Sequence, residues 1–132
     1  MLNTHFTVKP VASLVANQAA ATVNGSGIDH VGYDDIELVV ATGAVSGAPT
    51  SFSVDVKLQE SDDNSTFTDI TGAAITQIVA ANTLNKVKVA NAYLKKRYIR
   101  TVTVVAFVGG TSPAIPVAAT VLLGLPQAEP AV

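Results

Sequence analysis

His5 and His30 are the only imidazoles in the chain, and cysteine is absent. Asp29-His30 with a nearby serine can be drawn as a hydrolase triad. The sequence has no Gly-x-Ser-x-Gly elbow, however, and triad membership needs geometry that no spacing here implies. His30 therefore reads as a polar residue at a strand end. Without cysteine there is no disulfide framework, thiol nucleophile or thiolate metal site. Asp62-Asp63-Asn64 places oxygen ligands at the short spacing of a calcium loop. Counted from Asp62, though, the sixth and twelfth positions hold Phe67 and Ala73, where such a loop needs Gly and Glu. A hairpin turn that favours Asp and Asn explains the cluster, with Glu60 and Asp69 as spare oxygens for weak metal binding at most.

Other motifs reduce to local structure in the same way. Asn24-Gly-Ser and Asn64-Ser-Thr match the glycosylation pattern but read as turns. Gly109-Gly110 has no following Lys-Ser/Thr or helix to make a phosphate loop. The Asp34-Asp35 pair guards a strand start with charge. No nucleophile, base and oxyanion-donor set can be assembled, so no enzyme, metal or cofactor is expected.

One charge feature stands out. Lys86, Lys88, Lys95, Lys96, Arg97 and Arg100 are six of the eight basic residues and lie within 15 positions. Acids concentrate earlier, at Asp29 to Glu37 and Asp55 to Asp69. Three readings compete: a nucleic-acid surface, a solvated loop between strands, or a basic face that meets acids of a neighbouring copy or partner. The first is weakened by the net charge of −2 and by the lack of interleaved aromatics beyond Tyr93 and Tyr98. No nucleic acid is expected as a partner.

The elements that must position these residues read as strands. Phe52, Val54, Val56 and Leu58 alternate with Ser53, Asp55, Lys57 and Gln59, the period of a strand with one buried face. The polar run Glu60 to Thr66 interrupts it and Phe67 to Thr71 resumes it, which makes a hairpin. Short strands are also expected at Ala20 to Val23, Ile28 to His30, Asp35 to Thr42, Lys86 to Ala90, Tyr98 to Val108 and Val117 to Gly124. Tyr98 to Val108 carries Ile99, Val105 and Phe107 on one face and Val102 and Val104 on the other. Gly72 to Asn85 reads as strand or coil. The fold class is all-β, an antiparallel two-sheet sandwich of Greek-key or jelly-roll type with about eight strands. Residues 1–19, with Pro10 and an Ala/Asn/Gln-rich stretch, read as an N-terminal arm in which Phe6 to Val8 and Leu14 to Val15 could form short strand pieces, 20–124 as the sandwich, and 125–132 as a proline-limited C-terminal tail.

Composition narrows the function classes. Charged residues are 14% and hydrophobic ones 48%, with mean hydropathy +0.40, so disorder is excluded and few charges remain to cover a surface. Part of that surface is therefore expected to be covered by another chain. Aromatics at 5% with no Trp are too few for base stacking, and they disfavour a sugar-binding platform. The start lacks a basic stretch followed by an apolar one, and no apolar window is long enough to span a bilayer, so a protein made in the cytoplasm with no membrane partner is expected.

Three segments in this order, Val56 to Ile70, Lys96 to Val104 and Val117 to Gly124, resemble a group of small structural proteins of tailed phages and prophages. An aromatic after the Asp/Asn/Ser turn is filled by Phe67, and a Tyr-hydrophobic-Arg triplet by Tyr98, Ile99 and Arg100. The resemblance spans roughly Ala20 to Gly124. It implies a virion component and, within that class, a decoration (cement) protein on the outer head surface, β-rich and homo-oligomeric, often trimeric, with the major capsid protein as partner. On that footing the shell contacts are expected at Leu2, Phe6, Val8, Lys9 and Leu14 of the arm and at Lys95, Lys96, Arg97 and Arg100. A minor tail or head–tail joining component, or a carbohydrate-binding module, would use the same fold.

Overall fold

Residues 8–31, 33–89 and 96–126 are described by a computed structural model, and all regular structure among them is β. Nine strands follow one another: β1 (Val8–Gln18), β2 (Ala21–Asn24), β3 (Ile28–Asp29), β4 (Tyr33–Thr42), β5 (Ser51–Ser61), β6 (Thr68–Ala74), β7 (Leu84–Val89), β8 (Tyr98–Val108) and β9 (Ile115–Pro126). The short β2 and β3 both pair with β8 and share one position in the sheet, which leaves eight positions.

Pairing is nested. β1 pairs with β9, β2 and β3 with β8, β4 with β7, and β5 with β6, all antiparallel, as in a long hairpin ribbon. The ribbon then rolls on itself, because β4 also pairs with β9 and β5 with β8. Two sheets result, ordered β1-β9-β4-β7 and β2-β8-β5-β6. That order is the jelly roll, the sandwich expected from the alternating segments.

Alternation decides which residues meet inside. Ile36, Leu38 and Val40 of β4, Val54, Val56 and Leu58 of β5, Ile99 and Val105 of β8, and Val117, Val121 and Leu123 of β9 form one buried cluster. Each such side chain contributes about 1.5–3 kcal/mol by leaving water. Phe52 and Phe107, cross-strand partners, close one end with ring centroids 6.2 Å apart.

Two boundaries differ from the sequence-based expectation, while 72–85 is strand and coil as expected. Residues 8–18 do not extend away as an arm but run along β9 from Val8↔Gly124 to Gln18↔Ile115. Pro10 argues in sequence against a regular element, yet β1 is an edge strand, which tolerates proline because one of its sides serves no ladder. At the other end β9 begins at Ile115 and continues through Leu125 and Pro126, two residues into the stretch read from sequence as a tail. Within 72–85, β6 reaches Ala74, a bridge joins Ile78 to Val54, and β7 starts at Leu84.

At one end of the roll two loops are joined largely by backbone hydrogen bonds. Thr111 N–H donates to the Gly47 carbonyl at 2.8 Å and Ser46 N–H to the Ala114 carbonyl at 2.8 Å. Gly47 and Gly110 sit at φ +80° and +83°, and a Cβ on Gly110 would lie 2.6 Å from the Gly47 carbonyl oxygen. Only glycine lets these two loops touch.

Thr103 lies fully buried on the inner face of β8, and its hydroxyl has no hydrogen-bond partner among the described residues. Removing that hydroxyl in a side chain of the same shape relieves a desolvation cost. Thr103→Val is expected to raise unfolding free energy by about 1 kcal/mol in urea titrations; a comparable loss would show that the hydroxyl is satisfied.

Candidate functional site

The β5–β6 turn, which carries the calcium-like spacing, folds around one carboxylate. Asp63 Oδ1 accepts from the Ser61 hydroxyl (2.8 Å) and from the N–H groups of Ser65 and Thr66 (2.9 Å each). The Thr66 N–H, then the Ser61 hydroxyl and the Ser65 N–H, hold the Asp63 carboxyl down at about 2. Asn64 supplies the left-handed residue the turn needs, at φ 58°. Among the described residues, no group of three or more His, Cys, Asp or Glu is placed to hold a metal ion. Asp63 Oδ1 serves the backbone and the Ser61 hydroxyl of its own turn.

The basic stretch is engaged in the same inward fashion. Arg97 Nη2 donates to Asp29 Oδ2 at 2.7 Å and Nε at 3.1 Å, joining β3 to the approach of β8. That guanidinium, with the Val31 N–H, lowers the Asp29 carboxyl, and Asp29 in turn raises Arg97. Lys96 Nζ lies 3.9 Å from Asp62, its N–H donates to Glu60 Oε1 at 3.2 Å, and its carbonyl oxygen is 2.6 Å from His30 Nε2. His30 thus donates from Nε2 and pins the Lys96 loop. Its Nδ1 has no partner among the described residues, and no serine joins it in a triad.

Arg100 links the two motifs that carry the phage resemblance. Its guanidinium stacks 4.2 Å from the centroid of the Phe67 ring, while Nε and Nη2 donate to Gln59 Oε1 at 3.1 and 2.9 Å. Gln59 Nε2 and Lys57 Nζ each donate to Asp69 at 2.9 Å, and these two contacts lower the Asp69 carboxyl, the Gln59 bond more strongly. Phe67 and Arg100 therefore form a cross-strand clamp on the outer face of the second sheet, worth about 0.5–1 kcal/mol as a cation–π pair.

Beyond this clamp the same face turns apolar. Val102, Val104, Ala106 and Val108 are the outward positions of β8, with Val104 38% and Val108 61% exposed. Val102 and Val104, with Ala74, Ile75, Asp55, Val56 and Lys57, line an open groove of about 320 Å³. Asp55 and Lys57 stand directly opposite Val104 and Val102 in the β5–β8 register. Nothing in the sequence marks this groove except the two-sided apolar pattern of Tyr98 to Val108.

Of the contact residues expected from sequence, Leu2, Phe6 and Lys95 lie outside the described residues, as does Tyr93. Val8, Lys9 and Leu14 fall on β1, paired with Gly124, Leu123 and Ala119. Lys96, Arg97 and Arg100 come together around the start of β8, but each is engaged by a partner within the chain. Lys88 is likewise bound to Asp35 at 3.2 Å.

The fold is similar to that of the PBSX exported protein XepA, at 19% identity over 94% of this chain and 39% of that one, with a TM-score of 0.62. It is also similar to the infectious bursal disease virus VP2 subviral particle, at 6% identity over 91% of this chain and 33% of that chain, TM-score 0.56. The infectious bursal disease virus Gx strain structure gives 7% identity, 92% and 35% coverage, and a TM-score of 0.55. The chain thus spans well under half of each of these proteins, and the likeness is one of fold. No protein-family model and no curated protein matches the sequence. These likenesses agree with the all-β, two-sheet architecture expected from the sequence.

The turn makes a pH prediction. Because the folded Asp63 carboxyl titrates at about 2, below its unfolded value, its stabilisation is fully present above the unfolded pKa of about 4 and is lost as pH falls through about 2. Asp63→Ala should therefore lower the thermal midpoint at pH 6 and make its fall between pH 4 and pH 2 shallower than in the parent. An unchanged acid limb would show that the turn does not depend on this carboxylate.

Proposed function

We propose that this chain is a bacteriophage virion structural protein and, within that class, a decoration (cement) protein. It binds the major capsid protein on the outer head surface as a homo-oligomer, most simply a trimer. The observation that carries this reading is a jelly roll whose outer sheet face presents an apolar stripe and groove, while its ionic side chains are largely satisfied within the chain. Ion pairs Lys57–Asp69, Lys88–Asp35, Lys96–Asp62 and Arg97–Asp29 are all internal. A surface so poor in free charge and bearing exposed valines suits a protein whose faces meet other chains.

Its mechanism is mass action. A protein that binds the assembled, expanded shell and not the separated subunits shifts the equilibrium toward the intact particle. Many weak copies on one lattice add by avidity. The contact residues expected from sequence, Leu2, Phe6, Val8, Lys9 and Leu14 together with Lys95 to Arg100, remain part of the proposal. The internal pairing of Lys96, Arg97 and Arg100 favours the N-terminal set as the stronger contact.

Expanded heads lacking the protein provide the test. Full-length protein should co-sediment with them and raise the temperature at which they break open. Protein lacking residues 1–7, which keeps β1 whole, should bind at least about tenfold more weakly. Full-length protein that neither sediments with heads nor protects them would overturn the assignment, and unaltered binding of the shortened form would remove the N-terminal contact from it.

A further inference from the structure

We propose that the outward row of β7 on one copy, Leu84 and Lys86, seats on the β5–β8 groove of a second copy, so that the chain assembles head to tail. The inference rests on the reading of the chain as an oligomeric decoration protein and names the surfaces that would make the oligomer.

Two features of different faces complement each other. The groove has an aliphatic floor, Val102, Val104, Ala74 and Ile75, and two charged side chains at its lip. Lys57 is neutralised by Asp69 at 2.9 Å. Asp55 is met only by the neutral amide of Gln77, at 3.0 Å, and makes no ion pair among the described residues. The groove therefore offers an apolar seat beside one unbalanced negative charge.

β7 presents the converse. It is the edge strand of the other sheet, and Leu84, Lys86 and Lys88 alternate outward from it. Leu84 is 66% exposed, among the most exposed large hydrophobic side chains described. Lys88 is taken by Asp35, whereas Lys86 makes no ion pair among the described residues. It stands opposite Val39, with Glu37 only diagonal to it. An exposed aliphatic side chain and an unpaired cation thus sit two residues apart, about 7 Å. In the groove, Asp55 lies about 5 Å from its cross-strand partner Val104. With Leu84 over Val102 and Val104, the Lys86 side chain reaches Asp55.

The joined surfaces are different, so the contact is heterologous and propagates until the rotation closes a ring. Burial of Leu84 supplies affinity, and the Lys86–Asp55 pair fixes register and excludes the reversed orientation.

Sedimentation velocity on the purified full chain tests this without any phage particle, so its failure is separable from failure of the virion assignment. The parent should form a closed oligomer. Asp55→Lys and Lys86→Asp should each weaken assembly at least about tenfold in dissociation constant, and Leu84→Asp should give monomer. The double reversal, Asp55→Lys with Lys86→Asp, should restore assembly toward the parent level. Parent protein that stays monomeric, single reversals that assemble like the parent, or a double reversal no better than the singles would each overturn the contact. All the substituted side chains are outward-facing, and unchanged urea midpoints confirm that the variants fold; the rescue arm remains decisive even if Leu84→Asp does not.

Discussion

Two aliphatic rows, Ile36-Leu38-Val40 on β4 and Val54-Val56-Leu58 on β5, meet in the single core of the roll, and the rest of the surface is fixed by that meeting. Side chains alternate across a strand, so a slip of one residue would expose every member of a row. Placing Val54, Val56 and Leu58 inward forces Asp55, Lys57 and Gln59 outward. The same holds for β8, where burying Ile99, Thr101, Thr103 and Val105 turns Arg100, Val102, Val104 and Ala106 out. The Phe67–Arg100 clamp and the apolar groove are therefore consequences of core register and not separate inventions.

This also explains what sequence could and could not reveal. Strands with one clear apolar face, such as β4, β5 and β8, are legible because their period of two is strong. β1 is not, since Pro10 and the Ala/Asn/Gln stretch carry no such pattern, and its partner β9 lies about a hundred residues away. The basic stretch was visible as a cluster, but not its fate. Arg97 finds Asp29 at a separation of 68 residues and Arg100 finds Gln59 at 41. The first pair comes from the β3–β8 pairing of the ribbon and the second from its rolling, and local spacing encodes neither. The groove is hidden for the same reason, as its walls come from β5, the end of β6 and β8.

The sheet edges bear on how copies meet. β1 carries Pro10 and a register shift between Ala12 and Leu14. β7 carries Lys86 and Lys88, the β2–β3 edge is broken by Gly25 to Gly27, and β6 has a register irregularity opposite Lys57 to Gln59. These are the devices by which sheets avoid pairing edge to edge. Association through the outer faces is what remains, and there the exposed valines and the groove are found.

The proposed function makes this jelly roll one piece of a larger shell. Cryo-microscopy of purified particles carrying this chain tests it most directly, at a resolution that shows sheets. The account predicts two-sheet density of this size repeated over the outside of the head, touching capsid subunits. Density confined to the tail or vertex, or particles in which the chain is absent, would contradict it.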